Sequence, residues 1–159
     1  MTIILNNIRS LYNVGSIFRT ADAAGIKKIY LCGITPAPVD SFGRPRQQLA
    51  KVSLGAEKYI EWEKVKSTSK LIDNLKKQKY KIFAIEQSKK SIPYQNLKPK
   101  TYKLKTTVLV LGNEVKGLPP SILKRADKNL EIPMFGKKES LNVSVAFGIV
   151  VFRLINNKN

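Results

Sequence analysis

The chain has 159 residues, 43% of them hydrophobic, enough for one domain with an ordinary buried core. Twenty-nine Lys and Arg stand against 11 Asp and Glu, a net charge of +18, which attracts polyanions at long range and suits a phosphate backbone. There is no His, which excludes a Ser-His-Asp triad, a His-ligated zinc and a His general base; a single Cys, Cys32, excludes an internal disulfide and a Cys-based metal site.

In chain order, residues 3–5 read as a short strand, and 13–24 place Val14, Ile17, Phe18, Ala21 and Ala24 at helical spacing, with Gly25 as a stop. The start lacks the basic segment and long apolar stretch of a signal peptide. Residues 28–32 read as a second strand, at whose end Cys32 is a small core residue rather than a nucleophile. Residues 33–46 hold three Pro and two Gly and form a loop carrying Arg44 and Arg46. Residues 59–62 read as a strand. Ser67 and its neighbours then cap a helix with Leu71, Ile72 and Leu75 on one face and Lys on the other. Residues 81–85 and 107–111 read as buried strands, and Lys98, Lys100, Lys103 and Lys105 as a solvated face between them. Pro119-Pro-Ser121 opens a short helix, and 130–132 is a last strand. Residues 141–155 begin with a strand-like alternation and then become apolar on all sides. They read as a helix buried on most of its surface, with Ser140 as its cap. The longest apolar run, 145–152, is too short to span a bilayer. Alternating strands and helices predict an α/β fold, a mainly parallel sheet flanked by helices. A single domain over 1–159 and a cytoplasmic location without membrane contact are the corresponding expectations.

Three segments hold the polar residues that can carry chemistry. In Asn7-Ile-Arg9-Ser-Leu-Tyr-Asn13-Val-Gly15-Ser-Ile-Phe-Arg19, Asn13 stands near a helix start, where free N–H groups favour phosphate or carboxylate. Arg19 lies off the apolar face and can clamp a phosphate through two parallel bonds. A helix cap and a surface ion pair account for these two residues as simply. In Leu111-Gly112-Asn-Glu114-Val-Lys-Gly117-Leu-Pro119, a turn follows a buried strand, where α/β sheets collect ligands. It is no P-loop, because Leu118 and Pro119 follow Gly117, and no G-x-G-x-x-G occurs in the chain. The alternative is a plain turn with a solvated Glu114. In Ile132-Pro-Met134-Phe-Gly-Lys-Lys-Glu-Ser140-Leu-Asn142-Val-Ser-Val-Ala, Ser140 and Asn142 edge an apolar run, which implies caps, an interface or a ligand.

In this order the three segments resemble the three motifs of the SpoU/TrmH family of RNA ribose 2′-O-methyltransferases, within the SPOUT superfamily. The resemblance runs from Asn7 to Leu154, and Ile-Pro-Met followed by Ser-Leu-Asn-Val-Ser-Val-Ala is its most specific part. It implies a C-terminal trefoil knot, which pattern alone would never propose because chains almost never knot. It implies S-adenosylmethionine as methyl donor, held by Gly112, Ile132, Met134 and Leu141, with Glu86-Gln87-Ser88, directly after the strand at 81–85, adding a wall. It implies a homodimer joined through the last helix, with Arg19 approaching the cofactor of the partner subunit. Arg19, Asn13, Glu114, Ser140 and Asn142 become the catalytic set, acting on a ribose 2′-hydroxyl of tRNA or rRNA.

With no His, the candidates for base are Arg19, Glu114 or a relayed water. Lowering an Arg pKa from about 13 to about 7 costs roughly 8 kcal/mol, and a neighbouring phosphate opposes it. Arg19 is therefore expected to position phosphate and ribose, while Asn13 and Asn142 align the hydroxyl and Ser140. With no separate RNA-binding domain of the kind many family members carry, the RNA is expected to be gripped by the core's own basic face, Arg9, Arg44 and Arg46 with the Lys-rich stretch 76–81, or else to be presented by a partner protein. Two alternatives stand beside this reading, a noncatalytic RNA-binding protein that retains the fold and a SPOUT enzyme that methylates a base nitrogen. Basic charge reads phosphate and carries no information on which nucleotide is chosen.

Overall fold

The computed structural model describes residues 1–156. Its strands are β1 (Thr2–Asn6), β2 (Lys28–Cys32), β3 (Glu61–Val65), β4 (Lys81–Ile85), β5 (Ile92–Pro93), β6 (Thr107–Leu111) and β7 (Lys128–Glu131). Its helices are α1 (Leu11–Ala23), α2 (Gln47–Ser53), α3 (Thr68–Lys77), α4 (Pro120–Leu123) and α5 (Val143–Asn156). The strands form one sheet in the order β3-β2-β1-β6-β4-β7-β5, and every neighbouring pair is parallel.

The period-2 alternation of strand side chains divides the interior into two cores. Ile3, Leu5, Phe83, Leu109 and Leu111 face one side and pack with α1, α2 and α5. Ile4, Ile82, Ala84, Val108 and Val110 face the other and pack with α3 and α4. All five residues of β6 are buried, which is why its sequence is an unbroken apolar run rather than an alternating one. The mainly parallel α/β sheet read from the sequence is thus the observed one.

The right-hand edge of the sheet has an unusual connection. Residues 86–91 join β4 directly to β5, yet β7 lies between those two strands, paired to β4 through Ile85↔Leu130 and to β5 through Ile92↔Leu130. The chain leaving β7 therefore has to pass the 86–91 connection before it reaches α5.

Four local readings change. The strand expected at 59–62 is Glu61–Val65, because Ala56–Lys58 forms a 3-10 turn that delays its start. The strand expected at 130–132 is Lys128–Glu131, set by its pairing to β4. The helix expected to be buried nearly all round buries one face, Phe147, Val150, Val151 and Leu154, and exposes Val145, Ile149 and Phe152. Its first turn is capped by Asn142 rather than Ser140: Asn142 Oδ1 accepts from Ser144 N at 2.9 Å, and its carbonyl accepts from Ala146 N. Among the described residues, no helix is long and apolar enough to cross a membrane.

Candidate active site

The parallel register brings the carboxyl ends of three strands level, with Ile85 beside both Leu111 and Leu130. These three residues floor a cavity of about 470 Å³, on the side of the sheet end where α/β folds place ligands. The loop after β6, the segment from β7 to α5 and the start of α1 wall it.

At its mouth, three segments far apart in sequence are joined by one hydrogen-bonded chain centred on Glu114. The carboxylate accepts from Arg9 N at 2.9 Å, from Ser10 N at 3.0 Å and from Asn13 Nδ2 at 3.0 Å. Asn13 Oδ1 in turn accepts from Asn142 Nδ2 at 3.0 Å, and Asn142 Oδ1 takes the N–H of Ser144. The polarity of this chain is fixed by its end. A carboxylate only accepts, so Asn13 must turn its amide nitrogen to Glu114 and its oxygen to Asn142. The anion expected at the start of α1 is thus the protein's own Glu114, and the carboxylate is bonded rather than solvated. Desolvation pushes its pKa up, but the N–H groups of Arg9 and Ser10 and the Asn13 amide outweigh that and hold it below the ordinary carboxylate value. It is a fixed anion and a weak base.

A second carboxylate shapes the opposite wall. Glu86, directly after β4, accepts from Leu118 N at 2.7 Å and from Gln87 N at 3.0 Å, tying the 86–91 connection to the loop after β6. That loop is folded tightly on itself. A Cβ on Gly112 would lie 2.5 Å from the Gly117 carbonyl carbon, so only glycine fits. Asn113 fixes the turn, its Oδ1 accepting from the N–H groups of Val115 and Lys116.

Of the residues singled out in the sequence, Asn13, Glu114, Ser140 and Asn142 line this cavity together with Gly112, Ile132, Met134, Leu141 and Gln87. Gln87 Nε2 also donates to the Glu139 carbonyl at 2.8 Å, joining two of the walls. Arg19 does not line the cavity; it is exposed on α1. Arg9 is exposed beside the mouth, with its backbone N–H on Glu114. Arg44 is exposed and paired with Asp40 at 2.9 Å, while Arg46 is half-buried and donates to the Val39 carbonyl. The Lys-rich stretch 76–81 lies where α3 runs into the amino end of β4, the far end of the sheet from the cavity. Cys32 is buried at the end of β2, and its thiol is pushed up to about 11 by burial, which suits a core residue. Glu86 was legible only as part of a wall; its signal is a carboxylate placed directly after a buried strand.

The donor set is specific in chemistry. An apolar floor and three carboxylates, Glu86, Glu114 and Glu131, in a chain of net charge +18, suit a ligand that combines an apolar part with a positive centre. Among the described residues, no group of three or more His, Cys, Asp or Glu could hold a metal ion.

Comparison with known proteins places this site in context. Residues 1–152 match the SpoU rRNA Methylase family. The tRNA (guanosine(18)-2′-O)-methyltransferase of Aquifex aeolicus is 33% identical over 152 residues, which cover 96% of this chain and 67% of that protein. An uncharacterised tRNA/rRNA methyltransferase of Mycoplasma pneumoniae is 34% identical over 94% of this chain and 58% of its own length. Among solved structures, the Aquifex aeolicus TrmH/SpoU tRNA modifying enzyme superposes with a TM-score of 0.81 at 30% identity, covering 99% of this chain and 74% of that one. The AdoMet-bound rRNA methyltransferase of Sinorhizobium meliloti gives 0.83 at 28% identity, covering 99% of this chain and 56% of that one. The chain thus spans 58 to 67% of the length of these two curated relatives.

Proposed function

The chain belongs to the SpoU rRNA methylase family, and on that premise we propose that it transfers a methyl group from S-adenosylmethionine to a ribose 2′-hydroxyl of tRNA or rRNA. The observation that carries the proposal is the bonded chain Glu114–Asn13–Asn142 at the mouth of the cavity, which unites the three motif segments at one point. The cavity fits the cofactor: Ile85, Leu111, Leu130 and Ile132 offer an apolar bed for an adenosyl group, and Glu86 and Glu114 offer negative charge to a sulfonium and an ammonium. The bound cofactor would supply an electrophilic methyl: the O–CH₃ bond would form as the S–CH₃ bond broke, S-adenosylhomocysteine would leave, and the hydroxyl proton would pass to a relayed water.

The protein's own residues then have separable tasks. Glu114 anchors the start of α1 and orients Asn13; its lowered pKa makes it a poor proton acceptor. Asn13 and Asn142 lock each other, which holds Ser140 and the α5 start in place at the cavity. Such fixed polar groups contribute by orientation, which accounts for a large part of enzymatic rates. Gly112, Ile132, Met134, Leu141 and Gln87 form the cofactor walls. The insertion of β7 between β4 and β5 supports a C-terminal trefoil knot.

A homodimer completes the site. Val145, Ile149 and Phe152 make an exposed apolar stripe along α5, at helical spacing, whose other face is already packed on the core. Arg19 sits on α1, which packs against α5, and it is away from its own cavity. A second copy docked on α5 brings an Arg19 to the partner's site, where its guanidinium grips the RNA phosphate next to the ribose. Arg9, Arg44 and Arg46 extend the grip, and the protein works in the cytoplasm, where its RNA is.

The test uses purified protein, methyl-labelled S-adenosylmethionine and total RNA lacking the modification. The expected result is label in a defined tRNA or rRNA, at one site resistant to alkaline cleavage, and none with Arg19→Ala. Label at a base nitrogen would move the acceptor, and cofactor binding that fails altogether would leave a noncatalytic RNA-binding protein. Mixing inactive Arg19→Ala and Asn142→Ala subunits should restore about a quarter of the activity, since half the dimers are mixed and carry one intact site.

A further inference from the structure

We propose that residues 38–46 form a nucleobase-stacking finger, in which Phe42 receives an unpaired base of the substrate RNA on the ring face that Arg44 leaves open. The inference rests on RNA being the substrate and adds how the RNA is held away from the reacting ribose.

The segment is built as a rigid hairpin. Val39 and Pro45 pair in an antiparallel bridge, and Arg46 N bonds to the Pro38 carbonyl at 2.9 Å. Asp40 organises the tip. Its Oδ1 accepts from the N–H groups of Phe42 at 2.8 Å and Arg44 at 3.0 Å, and its Oδ2 accepts from Arg44 Nε at 2.9 Å. Gly43, at φ +76°, supplies the left-handed turn that reverses the chain. These bonds leave Phe42 80% exposed. The Arg44 guanidinium carbon lies 5.0 Å from the ring centroid, over one face.

A pre-ordered turn that holds a large apolar ring in water, with only the Arg44 guanidinium against it, gains little within the monomer. A ligand gains twice, because the finger needs no ordering on binding and the ring offers a stacking surface to any base. Arg44 strengthens the fit. Asp40 engages only its Nε, so the terminal nitrogens are free to meet a phosphate while the guanidinium backs the ring.

Position supports the same occupant. The loop leaves the carboxyl end of β2, at the same end of the sheet as the cavity. Its root is fixed to the segment that also holds Glu114: Asn7 Oδ1 accepts from Ile34 N at 3.1 Å, and Thr35 Oγ1 accepts from Ile8 N at 3.1 Å. The root of the finger is therefore bonded to residues 7–8, directly before Arg9 and the Glu114 anchor at the mouth of the cavity.

The decisive measurement is equilibrium binding, without cofactor, of two RNA probes: a hairpin with an unpaired loop and a blunt duplex. Phe42→Ala should weaken hairpin binding by about 5- to 150-fold, the range for losing one base–aromatic stack. It should leave duplex binding and the salt dependence of the hairpin unchanged, and Phe42→Tyr should behave as wild type. Arg44→Ala should flatten the salt dependence. In Phe42→Trp, hairpin addition should quench fluorescence beyond the change seen in the wild type, which already carries Trp62. Wild-type binding to the hairpin that is indifferent to Phe42→Ala overturns the finger alone, as does an equal loss on the duplex. A wild type that binds neither probe overturns the RNA reading, and the finger with it.

Discussion

The interior of the sheet and the rim of loops at its carboxyl end are held together by opposite means. In the interior, Ile4, Val108, Val110 and Ile82 on one face and Leu5, Leu109, Phe18 and Phe147 on the other are fully buried, and no directional bond selects among them. Burial there is spread over many side chains, and another apolar residue of similar volume would serve at most positions. At the rim, the α1 start, the β6 loop and the α5 start converge on Glu114 and Asn13, and each bond has one donor and one acceptor in a set order. Stability is thus distributed, while the geometry of the site is concentrated in a few polar atoms. Substitutions in the two regions should therefore separate fold from activity.

The largest effect is expected in the interior. Phe147 is fully buried on α5, and Phe147→Ala should destabilise the fold by about 3–5 kcal/mol, the range for emptying an aromatic site. Urea unfolding followed by circular dichroism measures it. The fraction that remains folded should still bind the cofactor; binding lost beyond the unfolded fraction would mean that Phe147 shapes the site as well as the core.

The next effect belongs to the rim and has the reverse signature. Glu114→Gln keeps the shape but places an amide N–H₂ among three donors, so at least one bond becomes a donor–donor clash. A charged hydrogen bond contributes about 1.5–3 kcal/mol, and methyl transfer should fall by about 10- to 100-fold. The unfolding midpoint should move less than for Phe147→Ala. Equal losses of stability in both variants would erase the distinction between the regions.

Gly112→Ala sharpens the same contrast at smaller scale. The added methyl meets Gly117 backbone, which cannot swing aside as a side chain would, so the loop after β6 must open. Cofactor binding by calorimetry should weaken by about 10-fold, or about 1.4 kcal/mol, with the buried strands untouched.

This division also explains what the sequence reveals. Strands buried on both faces leave continuous apolar runs, so 81–85 and 107–111 are legible to the residue, as is 28–32. α2 escapes because its seven residues bury only Leu49 and Ser53, and β5 because two residues carry no period. At the rim, residue types are legible and partnerships are not. Asn13, Glu114 and Asn142 stand out as polar residues at element ends, but the bonds joining them span 101 and 129 positions. Ser140 reads as the cap on paper, and only the register at which α5 starts selects Asn142. The exposed stripe of α5 is likewise invisible to an average over a nearly all-apolar helix.

The smallest effect, and the one that isolates a single atom pair, is in acid. Glu114 has a pKa below its ordinary value: desolvation raises it, but the N–H donors of Arg9, Ser10 and Asn13 more than offset that. A depressed carboxylate pKa contributes stability that is complete above the unfolded-state value and disappears as pH falls through the folded-state value. Protonation there would set an O–H against three donors, release Asn13 and through it Asn142. The chain has no His, and the α-amino group of Met1, which burial lowers, lies at the opposite end of β1 from the cavity. Cofactor binding should therefore be flat from about pH 6 to 8 and fall only in acid, below the ordinary carboxylate range. In Glu114→Gln the acid fall should shrink. Calorimetric titration of both proteins across this range measures the difference, and an acid limb of the same depth in both would take Glu114 out of the account of how the rim is held.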